Sequence, residues 1–156
     1  MEPFVGGGAI LLNRQPQLAR INDFNDELIN VYKVIKDNPD KLLSVLKIHE
    51  KKNEEQGSEW YYEVRSRDRE PEFKNMNDVD RAVRIIYLNK TCFNGMFKVN
   101  SAGQLNVPKH PNIVNEIGIR VLSNYLNESK IEIMCGDFAD ALIGLPKDAF
   151  IFLTSL

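Results

Sequence analysis

The sequence predicts an α/β fold: a sheet of short strands drawn from the two ends of the chain, with a mostly helical stretch containing a β-hairpin inserted between them. Three observations carry that prediction. Glu2-Pro-Phe-Val-Gly-Gly-Gly-Ala9 takes a short apolar step into three glycines, the way a strand turns tightly into a helix beneath a ligand. Short apolar runs suited to strands recur at 18–23, 131–135 and 149–153. Between them, apolar residues return at helical spacing.

After the glycines, Ala9 to Asn13 reads as the first turns of a helix, and Leu18 to Asp23 as a buried strand with a polar end. Asn25, followed by Asp26 and Glu27, starts a helix: a capping side chain, then acids at the positive end of the dipole. Leu28, Tyr32 and Ile35 continue it, and Ile29 widens the apolar stripe. Asn38-Pro39 opens another helix with Pro at its first position and Leu42, Leu43 and Leu46 as its apolar face. Lys51 to Gly57 is polar and reads as a loop or a frayed helix end. Ser58 is expected to cap a short helix carrying Trp60, Tyr61 and Val64. Arg65 to Asn77, with charges alternating around Pro71, reads as an exposed connection.

Asn77 caps the clearest helix, in which Val79, Ala82, Val83, Ile86 and Tyr87 fall on one face. Arg81 and Arg84 lie on the opposite face and read as solvated charges. Two extended runs, Met96 to Asn100 and Gln104 to Pro108, flank Ser-Ala-Gly103 and predict the hairpin. Glu116 to Leu126 then reads as a helix, Ile131 to Cys135 as a strand, Asp140 to Leu145 as a helical turn and Ala149 to Leu153 as a last strand.

Composition bounds the function without choosing it. At 156 residues, 43% hydrophobic and 27% charged, the chain is one globular domain or most of one. A net charge of −2 argues against nucleic-acid binding through bulk charge. Residues 81–115, however, contain no Asp or Glu while holding Arg81, Arg84, Lys90, Lys98 and Lys109. A locally positive surface on an acidic chain suits a polyanion docking at one place; the plain alternative is a chance gap in acids. Cys92 and Cys135 have no ligand spacing, and His49 and His110 stand far apart, so no metal site is expected and a reducing compartment is. No leader pattern or membrane span is visible, which makes the expected location cytoplasmic.

Two separated signatures resemble the Dam-type DNA adenine methyltransferases of restriction-modification systems. The first is Glu2-Pro-Phe-Val-Gly-Gly-Gly-Ala9 followed by Ile21-Asn-Asp-Phe-Asn-Asp-Glu-Leu-Ile29. The second is Tyr87-Leu-Asn-Lys-Thr-Cys-Phe-Asn-Gly-Met-Phe-Lys-Val-Asn100 with Gln104-Leu-Asn-Val-Pro108; Gly136-Asp-Phe138 is a weaker third. The resemblance implies an incomplete Rossmann-like, S-adenosylmethionine-dependent sheet. It also implies methyl transfer to the exocyclic amine of adenine at a short site in double-stranded DNA. It divides the chain into a partial catalytic core, 1–36 with 128–156, and an inserted recognition region, 37–127.

By the same resemblance, cofactor contacts fall on Glu2, Pro3, Phe4, Gly6, Gly7, Gly8, Asp23, Asp137 and Phe138. Asp23, at a strand end, is placed to accept hydrogen bonds from ribose hydroxyls. For Asp137 and Phe138, packing is an equal alternative. DNA contacts fall on Asn94, Lys98, Asn100 and Pro108, in a hairpin whose amides and cation suit the major groove.

Departures matter as much. Family members carry Asp-Pro-Pro-Tyr after the strand matching Ala149 to Leu153, and here Thr154-Ser-Leu156 follows. That tetrapeptide holds the extruded base and its amine. The resemblance therefore implies a chain truncated at both ends, with no catalytic residue assigned and no activity alone. Two other readings compete: a non-catalytic DNA-binding remnant, and a different Rossmann-type enzyme, against which the glycine turn lacks G-x-G-x-x-G spacing.

Overall fold

The computed structural model describes residues 1–91 and 113–153. The expected hairpin, and with it Asn94, Lys98, Asn100 and Pro108, lies outside the described residues. Within them the protein is mixed α/β, dominated by helices around a small parallel sheet. The helices are α1 (Ala9–Arg14), α2 (Asp26–Asp37), α3 (Pro39–Gln56), α4 (Ser58–Ser66), α5 (Asp78–Thr91), α6 (Glu116–Glu128) and α7 (Phe138–Leu142). Strands β1 (Leu18–Asp23) and β2 (Lys130–Cys135) pair in parallel, from Leu18 opposite Lys130 to Asp23 opposite Cys135.

Two further extended pieces flank this pair. Glu2 bridges Ile21 in parallel: its N–H donates to the Arg20 carbonyl (2.9 Å) and its carbonyl accepts from Asn22 (3.0 Å). On the other side, the Met1 amino group donates to Phe150 O (2.8 Å) and Phe152 N–H donates to Met1 O (2.9 Å), the same staggered pattern. The lateral order is thus 150–152, Met1–Glu2, β1, β2. Ala149 to Leu153, expected as a strand, forms no regular strand among the described residues; its ladder-like bonds are the two to Met1.

One continuous apolar cluster joins the sheet to the helices. Ile21 and Ile131 bury against Ile29, Ile35 and Leu126, while Leu42, Leu46, Val64, Val83 and Tyr87 fill the space among α3, α4 and α5. Helix α2 connects the two parts, packing on β1 and β2 as well as on α3, α5 and α6. Its N-terminus is capped as expected, with Asn25 Oδ1 accepting from Leu28 N–H at 3.2 Å.

Four local expectations are corrected or narrowed. Of the two readings of Lys51 to Gly57, the loop is set aside and the helix end holds: α3 runs to Gln56 with Gly57 as its cap, and Asn53 is buried, its Oδ1 accepting from the Tyr87 hydroxyl at 2.7 Å. Ser58 does not cap α4; Gly57 holds the capping position without a side-chain bond. Helix α7 replaces the turn expected at Asp140 to Leu145: Asp137 Oδ1 accepts from Ala139 N–H (2.8 Å) and starts it at Phe138, and it ends at Leu142, before the extended backbone of Ile143.

Arg81 and Arg84 are not solvated. Arg81 Nε reaches Glu27 (2.9 Å) and its NH2 group reaches Asp26 (3.0 Å), tying α5 to α2. Arg84 is only 6% exposed, donates to Val64 O (3.0 Å) and Arg65 O (2.9 Å), and pairs with Asp68 (2.9 Å). Its planar fork satisfies the carbonyls at the end of α4, a use that burial makes worthwhile and charge patterning does not reveal.

Candidate functional site

Three segments meet where the parallel strands end, and Asp23 is their junction. Its Oδ2 accepts from Gly6 N–H (3.0 Å), its Oδ1 accepts from Asn25 N–H (3.0 Å), and its backbone carbonyl accepts from Gly136 N–H (3.1 Å). The glycine turn, the end of β1 and the Gly136-Asp137-Phe138 turn after β2 are therefore one structural unit. Asn22 reinforces it from beneath. Only 2% exposed, it donates from Nδ2 to Pro3 O (3.2 Å) and to Gly136 O (3.0 Å). The carbonyls it satisfies would otherwise be short of partners in a partly buried setting.

The glycines are not interchangeable. Gly8 has φ +71°, and a Cβ built on it would stand 2.5 Å from the Tyr32 hydroxyl. Gly6 has φ +49°, a left-handed conformation that disfavours side chains. Gly7 shows neither restraint: it is exposed, and a Cβ there would meet nothing within 4 Å. Among the described residues, nothing requires glycine at 7.

Glu2 is 7% exposed, and its Oε2 accepts from Leu11 N–H at 3.2 Å, so its carboxylate serves the start of α1 from below the turn. Burial pushes its carboxyl above the usual range, against the opposing pull of that hydrogen bond and of the amino terminus. Pro3 is buried, Phe4 is half-buried, and the Phe4 ring packs on the Phe138 ring with centroids 5.6 Å apart. Asp137 is exposed and spends Oδ1 on capping α7. Asp23 and Asp137 give these strand ends two accessible carboxylates, with the buried Glu2 carboxylate beneath them. The nearby Arg20 is turned away, to Glu132 (2.6 Å) and to the carbonyls of Ala141 and Ile143.

Such a surface suits a ligand rich in hydroxyls or carrying positive charge better than it suits phosphate. Each Asp23 oxygen that takes one backbone N–H retains a second lone pair for a ligand hydroxyl. All nine residues expected to contact the cofactor lie in or against these converging segments. Three more residues belong to the arrangement without having been singled out. Phe24, beside Asp23, is 81% exposed despite its size, and Tyr32 and Asn22 hold the turns from below. For Asn22 the sequence carries a signal: an amide at a buried position of an apolar strand needs an internal partner.

Among the described residues, no group of three or more His, Cys, Asp or Glu is arranged to hold a metal ion. None of the described helices is long and apolar enough to cross a membrane.

Comparison with known proteins is consistent in family. The family model for D12 class N6 adenine-specific DNA methyltransferase matches residues 1–153. The type II methyltransferase M1.LlaDCHI of Lactococcus lactis subsp. cremoris is 44% identical over 155 residues, covering 97% of this chain and 54% of that protein. The type II methyltransferase M.MjaIII of Methanocaldococcus jannaschii is 40% identical over 154 residues, covering 88% of this chain and 51% of that protein. A DNA adenine methylase of Haemophilus influenzae is 31% identical over 109 residues, 69% of this chain and 36% of its own length. The chain thus spans about half the length of the two type II relatives.

Proposed function

The chain belongs to the D12 class N6 adenine-specific DNA methyltransferase family, and from that premise we propose that its strand ends bind S-adenosylmethionine for methylation of adenine in double-stranded DNA. The observation that carries this reading is the bond from Gly6 N–H to the Asp23 carboxylate, which joins two motifs 17 residues apart at the carboxyl ends of parallel strands. In doubly wound sheets, ligands sit at those ends, near the point where strand order reverses. The lateral order found here, 150–152 beside Met1–Glu2 beside β1 beside β2, supports such a sheet, with the reversal next to the glycine turn. The carboxylate-rich surface favours a sulfonium and its ribose over a dinucleotide's phosphates.

In this reading the ribose hydroxyls bond to Asp23, the methionine portion passes over Gly7, and the adenine packs among Phe4, Phe24 and Phe138, with Asp137 at its edge. Residues 1–36 and 128–156 form the cofactor side. Residues 37–127 form the DNA side, with Asn94, Lys98, Asn100 and Pro108 as its contacts. When bound, the cofactor supplies an electrophilic methyl group; the residues here bind and orient it. The tetrapeptide Asp-Pro-Pro-Tyr occurs nowhere in the 156 residues. We therefore assign binding, and not methyl transfer, to this stretch acting alone.

Calorimetric titration of the 156-residue protein with S-adenosylmethionine tests the reading. Saturable binding is expected, weakened about ten-fold or more by Asp23→Ala, as for loss of hydrogen bonds to a charged acceptor. A folded protein that binds no cofactor, or binds it equally well without the Asp23 carboxylate, refutes it. Methyl transfer to an adenine-containing duplex above background would refute the assignment of binding alone.

A further inference from the structure

We propose that Tyr32 is a positioning residue, reaching from helix α2 to fix the shape of the glycine turn that presents Gly7 to the cofactor. The inference rests on the reading of that turn as a cofactor site. By sequence, Tyr32 is one member of an apolar stripe, and its ring does lie in the core, only 5% exposed. Its hydroxyl does something separate, donating to the Gly6 carbonyl at 2.9 Å.

Gly6 is therefore gripped on both sides of its residue. Its N–H is held by the Asp23 carboxylate (3.0 Å) and its C=O by the Tyr32 hydroxyl (2.9 Å). On the far side of Gly7, the Gly8 N–H donates to Val5 O (2.8 Å), and Gly8 O accepts from Leu12 N–H (2.8 Å). Gly7 stands between two fixed neighbours, exposed and facing open space. The same tyrosine also imposes Gly8. Its oxygen lies 2.5 Å, and its Cζ 3.5 Å, from where a Cβ at that position would be. The hydroxyl and the absent side chain are two halves of one fit. Burial, with Glu2 and Asp23 nearby, pushes the phenol up to about 12, so it stays a donor at any working pH.

Pre-organisation of this kind acts through affinity: a turn already in its binding shape loses less freedom when the ligand arrives. Tyr32→Phe keeps the ring and removes only the hydroxyl. It is expected to weaken S-adenosylmethionine binding about three- to ten-fold and to shift the backbone amide resonances of Gly6 and Gly7 in the free protein. Tyr125→Phe is the control. It also removes a hydroxyl bonded to a backbone carbonyl, Pro16 O at 2.9 Å, but away from the turn, and it should leave affinity unchanged.

A double-mutant cycle adds a second readout. Gly8→Ala should cost less affinity in the Tyr32→Phe background than in the native one, because the 2.5 Å clash is gone. If native protein binds and Tyr32→Phe binds equally, or as Tyr125→Phe does, the positioning role is overturned while the cofactor reading stands. If the folded native protein does not bind, the cofactor reading fails and takes this role with it. Should Gly8→Ala not fold, the Tyr32→Phe titration and amide shifts decide alone.

Discussion

The strand-end region and the helical region are built on opposite principles, although they share one core. Around the glycine turn, the buried groups that matter are polar: Glu2 and the Tyr32 hydroxyl each serve one named backbone group, and the Asn22 amide serves two. Among α3, α4 and α5 the buried side chains are mostly apolar, with Leu42, Leu46, Val64, Ala82, Val83 and the Tyr87 ring buried completely, and Arg84 and the Asn53–Tyr87 bond are the polar exceptions. Among the described residues, that core even leaves Nδ1 of His49 and Nε1 of Trp60 without hydrogen-bond partners. Hydrogen bonds are directional, so they fix the shape of a small turn; hydrophobic burial is not, so it holds helices together without fixing any one atom. The difference predicts that damage to one region reads out mainly as lost stability, and damage to the other mainly as lost binding.

The sharpest break should come in the helical region. Leu46→Ala removes a fully buried side chain and should cost about 2–5 kcal/mol by urea denaturation. Cofactor affinity of the molecules that remain folded should not change. Loss of both in equal measure would mean that the regions are not separable.

Asn22→Ala is the strand-end counterpart. It leaves Pro3 O and Gly136 O without their donor and should cost about 1–3 kcal/mol. Here cofactor affinity should fall together with stability, because the two turns lose their common tie.

A smaller contrast lies in pH. Burial, then the nearby Arg67 and Lys52 charges, lower the His49 pKa from 6.5 to about 4. Its neutral form stabilises the fold above pH 6.5, and that contribution is lost as pH falls through 4, on the order of 2 kcal/mol. Glu2 acts with the opposite sign. Its raised pKa gives a contribution that is complete below its ordinary value of 4.5 and is lost as pH rises through the raised one. His49→Phe should therefore flatten the acid limb of a stability–pH curve, while Glu2→Gln should steepen the net loss on acidification. Identical curves for both variants would contradict the contrast.

Some of this was legible from residues alone, and the reason is locality. Asn25 before two acids, the apolar stripe of α5 and the run of three glycines are each complete within a few residues. What was not legible depended on partners far along the chain. The polar run Lys51 to Gln56 stays helical because Tyr87, 34 residues after Asn53, bonds to it in the core. Arg84 looks solvated by helical phase but reaches the end of α4, where open carbonyls need donors. Tyr32 counts as apolar in any periodicity, since nothing in the stripe shows that its hydroxyl meets Gly6 26 residues earlier.

By itself, the order of residues determined the family signatures, the helices and which residues could form a ligand surface, because backbone preference and apolar spacing act over one or two turns. Tertiary structure alone decided that Asp23, the glycine turn and Gly136 share one junction, and that Gly8 must lack a side chain while Gly7 faces open space. Parallel strands bring their ends together only after long crossovers, so a site built there has no local sequence that spells its geometry.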